Sequence, residues 1–415
     1  MSDTPTATAK IEPDTDRIDR IDRIDRIVTA LRESELDAVF CSLPSHVLLL
    51  TGYWPVMANT VALFTVDGSM HLLLPEDEEE IAASMSVAQR TGFQPGSLSQ
   101  ITNTEKAIAQ PFTHLVASLG LDSARIGVEL GSMVTPASYP VQFHFGAILR
   151  DFMQEAFPKA TLLPADDLLN RLSKTKTPHE LDKLRLSCKI AQAAYEAGSM
   201  ELKSGMTEPQ AAEVFRSAYA GCPAGKLPVR TDAFFFCMSG KNSATACAAY
   251  ARTRTRTLER GDLVMVHCNS QADGYWTDIT RTYTCGEADA KQTAMRDAIF
   301  EAREAALGRI SPGVAAAEVD KAARDVLTKR GFGENFKHAT GHGVCFSAAN
   351  HDAIPRIHPK STDVLEIGMT FNIEPAIYLD GYGGMRHCDV VAVTSQGAEV
   401  LTNFQSAASQ VELAV

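Results

Sequence analysis

The stretch Leu263–Asp278, with the sequence LVMVHCNSQADGYWTD, predicts a β-hairpin. It begins with an apolar run, passes through a polar turn and ends in a strand of aromatic and β-branched residues. With the turn centred on Ala272-Asp273, His267 and Asp278 are cross-strand partners whose Cβ atoms lie ~5 Å apart on one face. Both side chains are competent metal ligands, so this hairpin predicts one wall of a polar site.

A second stretch repeats the arrangement. The run Phe371–Glu374 leads into the glycine-rich loop Asp380–Gly384, and a return strand follows. With the turn centred on Gly381, Glu374 lies opposite Cys388. Each pairing depends on the position of the turn, because a slip of one residue sends a side chain to the other face of the sheet.

The order helix, helix, strand, strand occurs twice in the second half of the chain. We expect helices to begin at Thr177-Pro178 and Thr207, and again near Asp289 and Ser311. Three features recur at offsets of 105, 107 and 110 positions: Ala211 with Ala316, His267 with Glu374, and Asp278 with Cys388. The similar offsets predict two related α+β halves whose strands meet face to face.

His342 is a fifth candidate. Glycines on both sides of it let other backbone approach closely and place the imidazole in a cleft. Any one such residue is more often structural, since a buried Asp is usually an ion-pair partner and a buried Cys packs as a small hydrophobe. Together the five candidates occupy matched positions, which favours one shared site of metal-ligating residues: His267, Asp278, His342, Glu374 and Cys388.

The first part of the chain predicts a smaller α/β domain. Short apolar runs alternate there with Gly, Pro and Asp, and we expect strands at Ala38–Phe40, Val61–Val66, His71–Leu74 and Arg125–Glu129. The predicted division is a disordered N-terminus over residues 1–15, rich in Thr, Asp and Pro, an α/β domain over 16–160, and a C-terminal domain over 165–415.

The tripeptide Asp-Arg-Ile occurs four times between Asp16 and Ile27. On a helix this repeat aligns Asp and Arg at i,i+4 and forms a drifting stripe of isoleucines. One interpretation is a partner-binding helix. We favour the other, a helix that packs on its own domain, because solvated charged faces are common.

The composition limits the class of protein. The formal net charge is −12 and no long basic run occurs, which argues against nucleic-acid and anionic-membrane partners. No apolar run reaches the ~18–20 residues of a membrane span. Nine scattered cysteines without a CxxC pair, and an N-terminus without an apolar signal core, indicate a cytoplasmic protein with reduced thiols.

Several motifs resemble one superfamily. The C-terminal ones are DGYWTDITRTY (Asp273–Tyr283), Gly341–Val344, Asn372–Pro375 and Gly384–Arg386. They resemble the pita-bread (M24) superfamily of aminopeptidase P, prolidase, methionine aminopeptidase and creatinase, over about Leu172–Phe404. The segments Leu36–Val39 and Leu50–Tyr53 resemble the smaller domain of the aminopeptidase P, prolidase and creatinase branch. The resemblance implies an α+β, pita-bread C-terminal domain after a smaller α/β domain, and a homodimer.

The resemblance also implies a metal site, with two departures. Peptidases of the superfamily bind two divalent ions through two Asp, one His and two Glu. Asp278, His342 and Glu374 match, whereas His267 stands for the first Asp and Cys388 for the last, bridging Glu. One or two ions of zinc, iron or manganese are implied, and the softer ligands favour zinc or iron over manganese. A metal-free site, as in creatinase, is the remaining alternative.

Other matches imply substrate contacts. His338 resembles the substrate-side His of the superfamily, and His351 resembles the His that stabilises an oxyanion or transfers protons. Cys247 stands where relatives have a His that contacts substrate, with packing among alanines as an equal interpretation. Arg386 can pair with a carboxylate near the site.

The implied reaction is metal-dependent hydrolysis of a C–N bond in a short peptide or small molecule, with Xaa-Pro peptides as the default substrate of the superfamily. Glu374 would transfer the proton of the attacking water. Two alternatives stay open: a creatinase-like metal-free hydrolase, or a C–S lyase of the same fold. A catalytically inactive interaction module is disfavoured, because both altered positions are still occupied by ligand residues.

Overall fold

The computed structural model describes residues 13–56, 59–96, 98–99, 101, 103–130, 145–221, 230–247, 252–348, 353–405 and 412–413. His351 lies outside the described residues, and so do residues 1–12, which carry most of the predicted disordered N-terminus. The described chain begins with a helix at Pro13, three residues before the predicted start of the domain at residue 16.

The N-terminal part is a mixed six-stranded sheet with helices on both faces. Its elements are α1 (Pro13–Glu33), β1 (Ala38–Cys41), α2 (Pro44–Thr51), β2 (Val61–Thr65), β3 (Met70–Pro75), α3 (Glu79–Met85), β4 (Gln89–Phe93), α4 (Thr104–Ser118), β5 (Arg125–Val128), α5 (Phe145–Ala156), β6 (Thr161–Pro164) and α6 (Asp166–Lys174). The strand order is β4-β3-β2-β1-β5-β6. All four strands expected from the sequence are therefore confirmed.

Strand β1 explains why the sheet is covered on both faces. Its residues alternate between two apolar clusters, as the period of a strand requires. Ala38 and Phe40 pack with α4 and α5, whereas Val39 and Cys41 pack with α1, α2 and α6. The continuous apolar run is therefore typical of a central strand buried on both faces.

Helix α1 packs on the fold through the Asp-Arg-Ile repeat. Ile27 is buried and Ile21 is half exposed, so the isoleucine stripe drifts out of the contact as expected. Arg26 and Asp22 form the predicted i,i+4 pair at 2.6 Å. Arg23 is instead buried and donates to Glu180 and to the carbonyl oxygens of Leu172 and Thr175. The helix thereby ties the two domains together.

The C-terminal part contains two helix pairs and three small sheets. Its elements are α7 (Pro178–Glu201), α8 (Glu208–Ala220), β7 (Thr231–Ser239), β8 (Leu263–Ala272), β9 (Tyr275–Cys285), α9 (Ala290–Leu307), α10 (Ala316–Lys329), β10 (Thr370–Ile373), β11 (Ala376–Leu379), β12 (Gly383–Arg386), β13 (Asp389–Thr394), β14 (Gly397–Val400) and β15 (Glu412–Leu413). The sheets are β15-β9-β8-β7, β10-β13-β14 and β11-β12.

Three of the four predicted helix starts are confirmed. Thr177, Thr207 and Asp289 are N-caps, each with a complete capping box. The start expected at Ser311 is wrong, because Gly313 turns the chain with a φ of 86° and α10 begins at Ala316. Among the described helices, none combines the length and apolarity needed to cross a bilayer.

The first hairpin is real, but its turn lies one residue later than predicted. Asp273 and Gly274 form a two-residue turn with φ values of 51° and 85°, as an Asp-Gly pair favours. His267 therefore pairs with Thr280, and Asp278 pairs with Asn269. The predicted direct pairing of His267 with Asp278 is wrong, although moving the turn by one residue shifts each partner by two and keeps both side chains on one face.

The second hairpin has the predicted register. Ala376 pairs with Arg386 and Ile373 pairs with Asp389, so the turn is centred on Gly381. Between these two ladders the same register brings Glu374-Pro375 opposite His387-Cys388. The placement of Glu374 across from Cys388 is thus confirmed.

The two halves meet edge to edge, which corrects the face-to-face expectation. Thr280 and Cys388 form an antiparallel bridge with backbone N–H···O distances of 3.4 and 3.0 Å. The buried Arg281 reinforces it, since its guanidinium donates to both carbonyl oxygens at 2.9 and 2.6 Å and to Asp389 at 2.7 Å. The strands that carry the candidate ligands are therefore joined directly.

Candidate active site

A cavity of about 460 Å³ opens where the two halves meet. Four of the five predicted ligands line it: His267, Asp278, His342 and Glu374. The predicted substrate-side residues His338, Cys247 and Arg386 line it as well. The fifth candidate, Cys388, lies directly behind Asp278.

Asp278 is the centre of the cluster. Its Oδ2 is 3.5 Å from Nε2 of His342, and its Oδ1 is 3.7 Å from Nδ1 of His267. Burial alone would raise the pKa of this carboxyl, but His267, His342 and Arg386 outweigh burial and lower it to about 2. Asp278 is therefore an anion at neutral pH.

His342 is held through its backbone and both ring nitrogens. Asn372 Oδ1 accepts from the backbone N–H of His342 at 2.7 Å, and the ring Nδ1 lies 3.1 Å from the Gly343 carbonyl oxygen. Nε2 lies 3.2 Å from Asn372 Nδ2 and 3.5 Å from Asp278 Oδ2, so this nitrogen faces the Asp278 side of the cavity. A Cβ at Gly341 would lie 1.8 Å from the Asn372 carbonyl oxygen, which confirms the predicted close approach of backbone.

His267 is neutral in this environment. Burial, reinforced by Arg386, lowers its pKa to about 4 against the opposing effect of Asp278. Its Nδ1 is 2.9 Å from Thr280 Oγ1 and 3.2 Å from an Arg386 nitrogen. Nδ1 therefore accepts from Arg386.

Glu374 has the properties of a proton-transfer group. Burial raises its pKa to about 7, with Asp278 adding to the shift and Arg386 and His342 opposing it. Its Oε2 lies 3.9 Å from Nε of Arg386. A carboxyl that titrates near neutral pH can both accept and return a proton.

Cys388 supports Asp278 from behind. Its thiol donates to the Asp278 carbonyl oxygen at 3.2 Å and lies 3.7 Å from Oδ1. Burial, together with Asp278 and Glu374, raises the pKa of this thiol well above its ordinary value. The thiol is thus protonated unless a cation displaces its proton.

Three residues that the sequence reasoning missed fix these groups. Tyr378 OH is 3.0 Å from His338 Nε2 and 3.3 Å from an Arg386 nitrogen. Thr280 Oγ1 also lies 3.0 Å from Arg386 Nε, and Asn372 is the partner of His342 described above. Strand alternation was the available signal, because Thr280 lies two residues after Asp278 and Asn372 lies two before Glu374.

The mouth of the cavity is cationic, which the sequence reasoning also missed. Arg356, His358 and Lys360 line it. Arg356 is paired with Asp363 at 3.3 Å, whereas no ion pair to Lys360 is found within the described parts of the chain. These residues are spaced two apart but lie in an irregular loop rather than in a strand, so only the folded arrangement shows that they line the cavity.

Asp278, His342 and Glu374 could together hold a divalent ion. His342 could ligate through Nε2, because its Nδ1 lies 3.1 Å from a backbone carbonyl oxygen, a contact that ligating histidines usually make. Asp278 and Glu374 supply oxygens beside it. Within the described residues, however, no three ligand atoms of this cluster lie within 4.8 Å of one another, and Arg386 already supplies a permanent positive charge. An ion would draw Asp278, His342 and Glu374 together.

Known proteins share this architecture. Residues 182–395 match the profile of metallopeptidase family M24, and residues 23–172 match the creatinase/prolidase N-terminal domain. The Xaa-Pro dipeptidase of Pyrococcus furiosus is 29% identical over 382 residues, covering 91% of this chain and 97% of the relative. That of Lactobacillus helveticus is 31% identical over 258 residues, covering 61% and 66%.

The solved structures agree. The prolidase from Pyrococcus furiosus superimposes with a TM-score of 0.72 at 26% identity, covering 91% of this chain and 99% of the other. The match spans both domains and confirms the predicted α+β, pita-bread architecture with a smaller domain in front.

Proposed function

The chain belongs to metallopeptidase family M24 and is a hydrolase of metallopeptidase type, and from this premise we propose that it is a dipeptidase that cleaves the C–N bond before proline in short peptides. The observation that carries the proposal is the cavity in which Asp278, His342 and Glu374 lie below a cationic mouth. The Xaa-Pro dipeptidases among its relatives support the same substrate class.

The cofactor of the proposed enzyme is a single divalent ion held by Asp278, His342 and Glu374. When bound, such an ion acts as a Lewis acid toward a carbonyl and acidifies a water molecule. Zinc, iron and manganese all accept such a set of two carboxylates and one imidazole. A second ion would have to compete with the guanidinium of Arg386 beside His267 and Glu374.

Proton transfer falls to Glu374. Its buried carboxylate would accept a proton from the attacking water and return it to the leaving nitrogen. Arg386 holds its carboxylate in place, and Tyr378 fixes His338 on the substrate side of the cavity. His351 is assigned to the oxyanion, as the sequence predicted.

The cationic mouth selects the substrate. Lys360, beside Arg356 and His358, offers a positive charge to the free carboxylate of a dipeptide, whose scissile bond lies one residue away from that carboxylate. A longer peptide carries its carboxylate farther from the scissile bond and loses this contact. We therefore assign a preference for dipeptides over longer peptides.

Hydrolysis of an Xaa-Pro dipeptide and of its C-terminal amide tests the proposal. With zinc, iron or manganese added after chelation, the dipeptide is cleaved and the amide is cleaved at least ~10-fold less efficiently, the effect of losing one charged contact. Lys360→Ala lowers kcat/KM for the dipeptide and removes the difference in kcat/KM between the dipeptide and its amide. Lys321→Ala, an exposed lysine on α10 paired with Asp325, is the matched control.

One observation favours a second candidate, a metal-free hydrolase. The guanidinium of Arg386 lies beside His267 and Glu374, so the cluster already contains a permanent positive charge of its own. Turnover of creatine by chelated protein, with none of a dipeptide at any metal, would support this candidate and overturn the first. Turnover of a sulfonium propionate alone would support the lyase. The homodimer and the cytoplasmic location stay predictions.

A further inference from the structure

A second cluster of ligand residues lies outside the active site, at one edge of the N-terminal sheet. Cys41 ends β1, Glu129 directly follows β5, and His46 lies in the first turn of α2. Strands β1 and β5 are parallel neighbours, so their carboxyl ends meet at the edge where α/β sheets commonly bind ligands. The Cys41 sulfur, a His46 ring nitrogen and a Glu129 carboxylate oxygen all lie within 4.8 Å of one another.

Glu129 is fixed so that one of its oxygens is available. Oε1 accepts from the backbone N–H groups of Ser42 and Leu43 at 2.6 and 2.8 Å, and from Ser42 Oγ at 3.1 Å. Oε2 points the other way and lies 2.6 Å from His46 Nδ1. The carboxylate is almost fully buried. Ligating carboxylates are typically held in this way by hydrogen bonds from outside the metal's own shell.

The surroundings of Cys41 are negative as well as buried. Burial, followed by Glu129 and Asp166, raises the pKa of the Cys41 thiol. Two carboxylates beside one buried thiol favour a cation, because a bound divalent ion would compensate their charge. The packing of β1 alone does not require a thiol and an imidazole to converge on the same carboxylate.

We propose that Cys41, His46 and Glu129 bind a zinc ion, with a water molecule as fourth ligand. One sulfur, one nitrogen and one oxygen donor suit this borderline-soft metal. On binding, the thiol releases its proton to solvent, and His46 ligates as a neutral imidazole that carries its hydrogen on Nε2 and presents the Nδ1 lone pair to the ion. His46 keeps a fifth of its side chain exposed, which gives the ion and its water a route to the cluster.

The proposed ion would brace the contact between the domains. His46 lines a small crevice of about 60 Å³ together with Gly343, Val344 and Ile354. Gly343 directly follows His342, so the far wall of this crevice belongs to the loop that carries an active-site ligand. The zinc site would thus lie at the contact between the domains, and it does not depend on the proposed peptidase activity.

Metal content of the full-length protein tests the proposal. All variants carry Cys388→Ala, so that the only thiol expected to ligate is Cys41. In this background we expect Cys41→Ala and His46→Ala each to bind one zinc ion fewer per chain. The thiolate-to-metal charge-transfer band of the cobalt(II) form disappears in both. Cys188→Ala, another buried free thiol, is the matched control and keeps both the zinc and the band.

Unchanged zinc content and an unchanged cobalt spectrum in the Cys41 and His46 variants would overturn the proposal. Circular dichroism separates loss of the ion from loss of the fold. If Cys41→Ala does not fold, His46→Gln decides, because this partly exposed position leaves the Glu129 contacts to Ser42 and Leu43 intact. The active-site ion is distinguished by His342→Ala, which removes that ion and leaves the cobalt–thiolate band in place.

Discussion

Asp278 Oδ2 and His342 Nε2 lie 3.5 Å apart although the two residues belong to different halves of the C-terminal domain. Asp278 comes from a strand of the first half, and His342 from a loop of the second half that is held by Asn372. The distance between them therefore depends on how the halves are joined. Both residues belong to the set of ligands that the proposed reaction needs.

Asp278→Asn and His342→Ala should each abolish most activity. Asn removes the charge and His342→Ala removes a nitrogen donor, so each loses at least ~100-fold in kcat/KM, the range for loss of a catalytic group. Metal content falls in parallel in both variants. Asp380→Asn, at an exposed carboxylate paired with Lys337, is the control and should retain full activity. Full activity of the Asp278 variant would contradict the site assignment.

Restoring the two altered positions should create a second metal site. We expect His267→Asp combined with Cys388→Glu to hold two ions in the active site, whereas the unaltered site and Cys388→Ala hold one. The physical reason is charge, since the double substitution adds two carboxylates around Arg386. Metal analysis of the purified proteins measures the stoichiometry, and every protein carries Cys41→Ala so that the zinc site proposed at the N-terminal sheet does not contribute. Two ions in the Cys41→Ala protein, or one after the double substitution is added, would refute the single-ion proposal.

Affinity for the active-site ion should rise with pH between about 5.5 and 8. The pKa of Glu374 is about 7, because of burial. Asp278 raises the pKa of His342 above its ordinary value, against the opposing effect of burial. Both groups bind protons as the pH falls, and each proton must leave before the ion binds, so affinity weakens about tenfold per pH unit for each proton displaced.

Competition with a chelator at several pH values measures this slope. Glu374→Gln cannot take up a proton, so its slope should be smaller by one proton, in addition to a weaker affinity overall. An identical slope in the variant would show that Glu374 is not among the titrating ligands.

Asp389→Asn should strongly destabilise the fold. Asp389 is buried between Arg281 and Arg303, at 2.7 and 2.6 Å. Removing its charge leaves two guanidinium groups without their partner, which costs about 3–5 kcal/mol for a buried pair. Urea unfolding followed by circular dichroism measures the change. Asp380→Asn should lie within ~0.5 kcal/mol of wild type, and an equally small effect at Asp389 would contradict the assignment.

The sequence predicted the second hairpin better than the first for a physical reason. The two strands pair symmetrically about Gly381, and the glycine-rich loop offers one position for the centre of the turn. In the first hairpin the Asp-Gly pair forms a tight turn, and centring the turn one residue earlier changed the partner of His267 from Thr280 to Asp278. The side chains nevertheless stayed on the correct face. The face of the sheet on which a side chain lies is therefore predicted correctly despite an error of one residue in the turn, whereas its cross-strand partner is not.

Two groups of residues could not be found along the chain. Arg356, His358 and Lys360 are spaced two apart in an irregular loop, where such a spacing does not place side chains on one face as it does in a strand. Cys41, His46 and Glu129 come together only because β1 and β5 are parallel neighbours, and the sequence predicts those strands but not their adjacency. Convergence of this kind depends on strand order, which local pattern does not encode.

The bridge between Thr280 and Cys388 limits how this protein can move. It joins the halves through main-chain hydrogen bonds beside Asp278, which lines the cavity. A hinge motion that separated the halves would have to break these hydrogen bonds before it widened the mouth. Substrate entry therefore depends on the side chains at the mouth of the cavity, which can change conformation without moving the candidate metal ligands. Substitutions at the mouth can then change the preferred substrate while the catalytic residues stay the same.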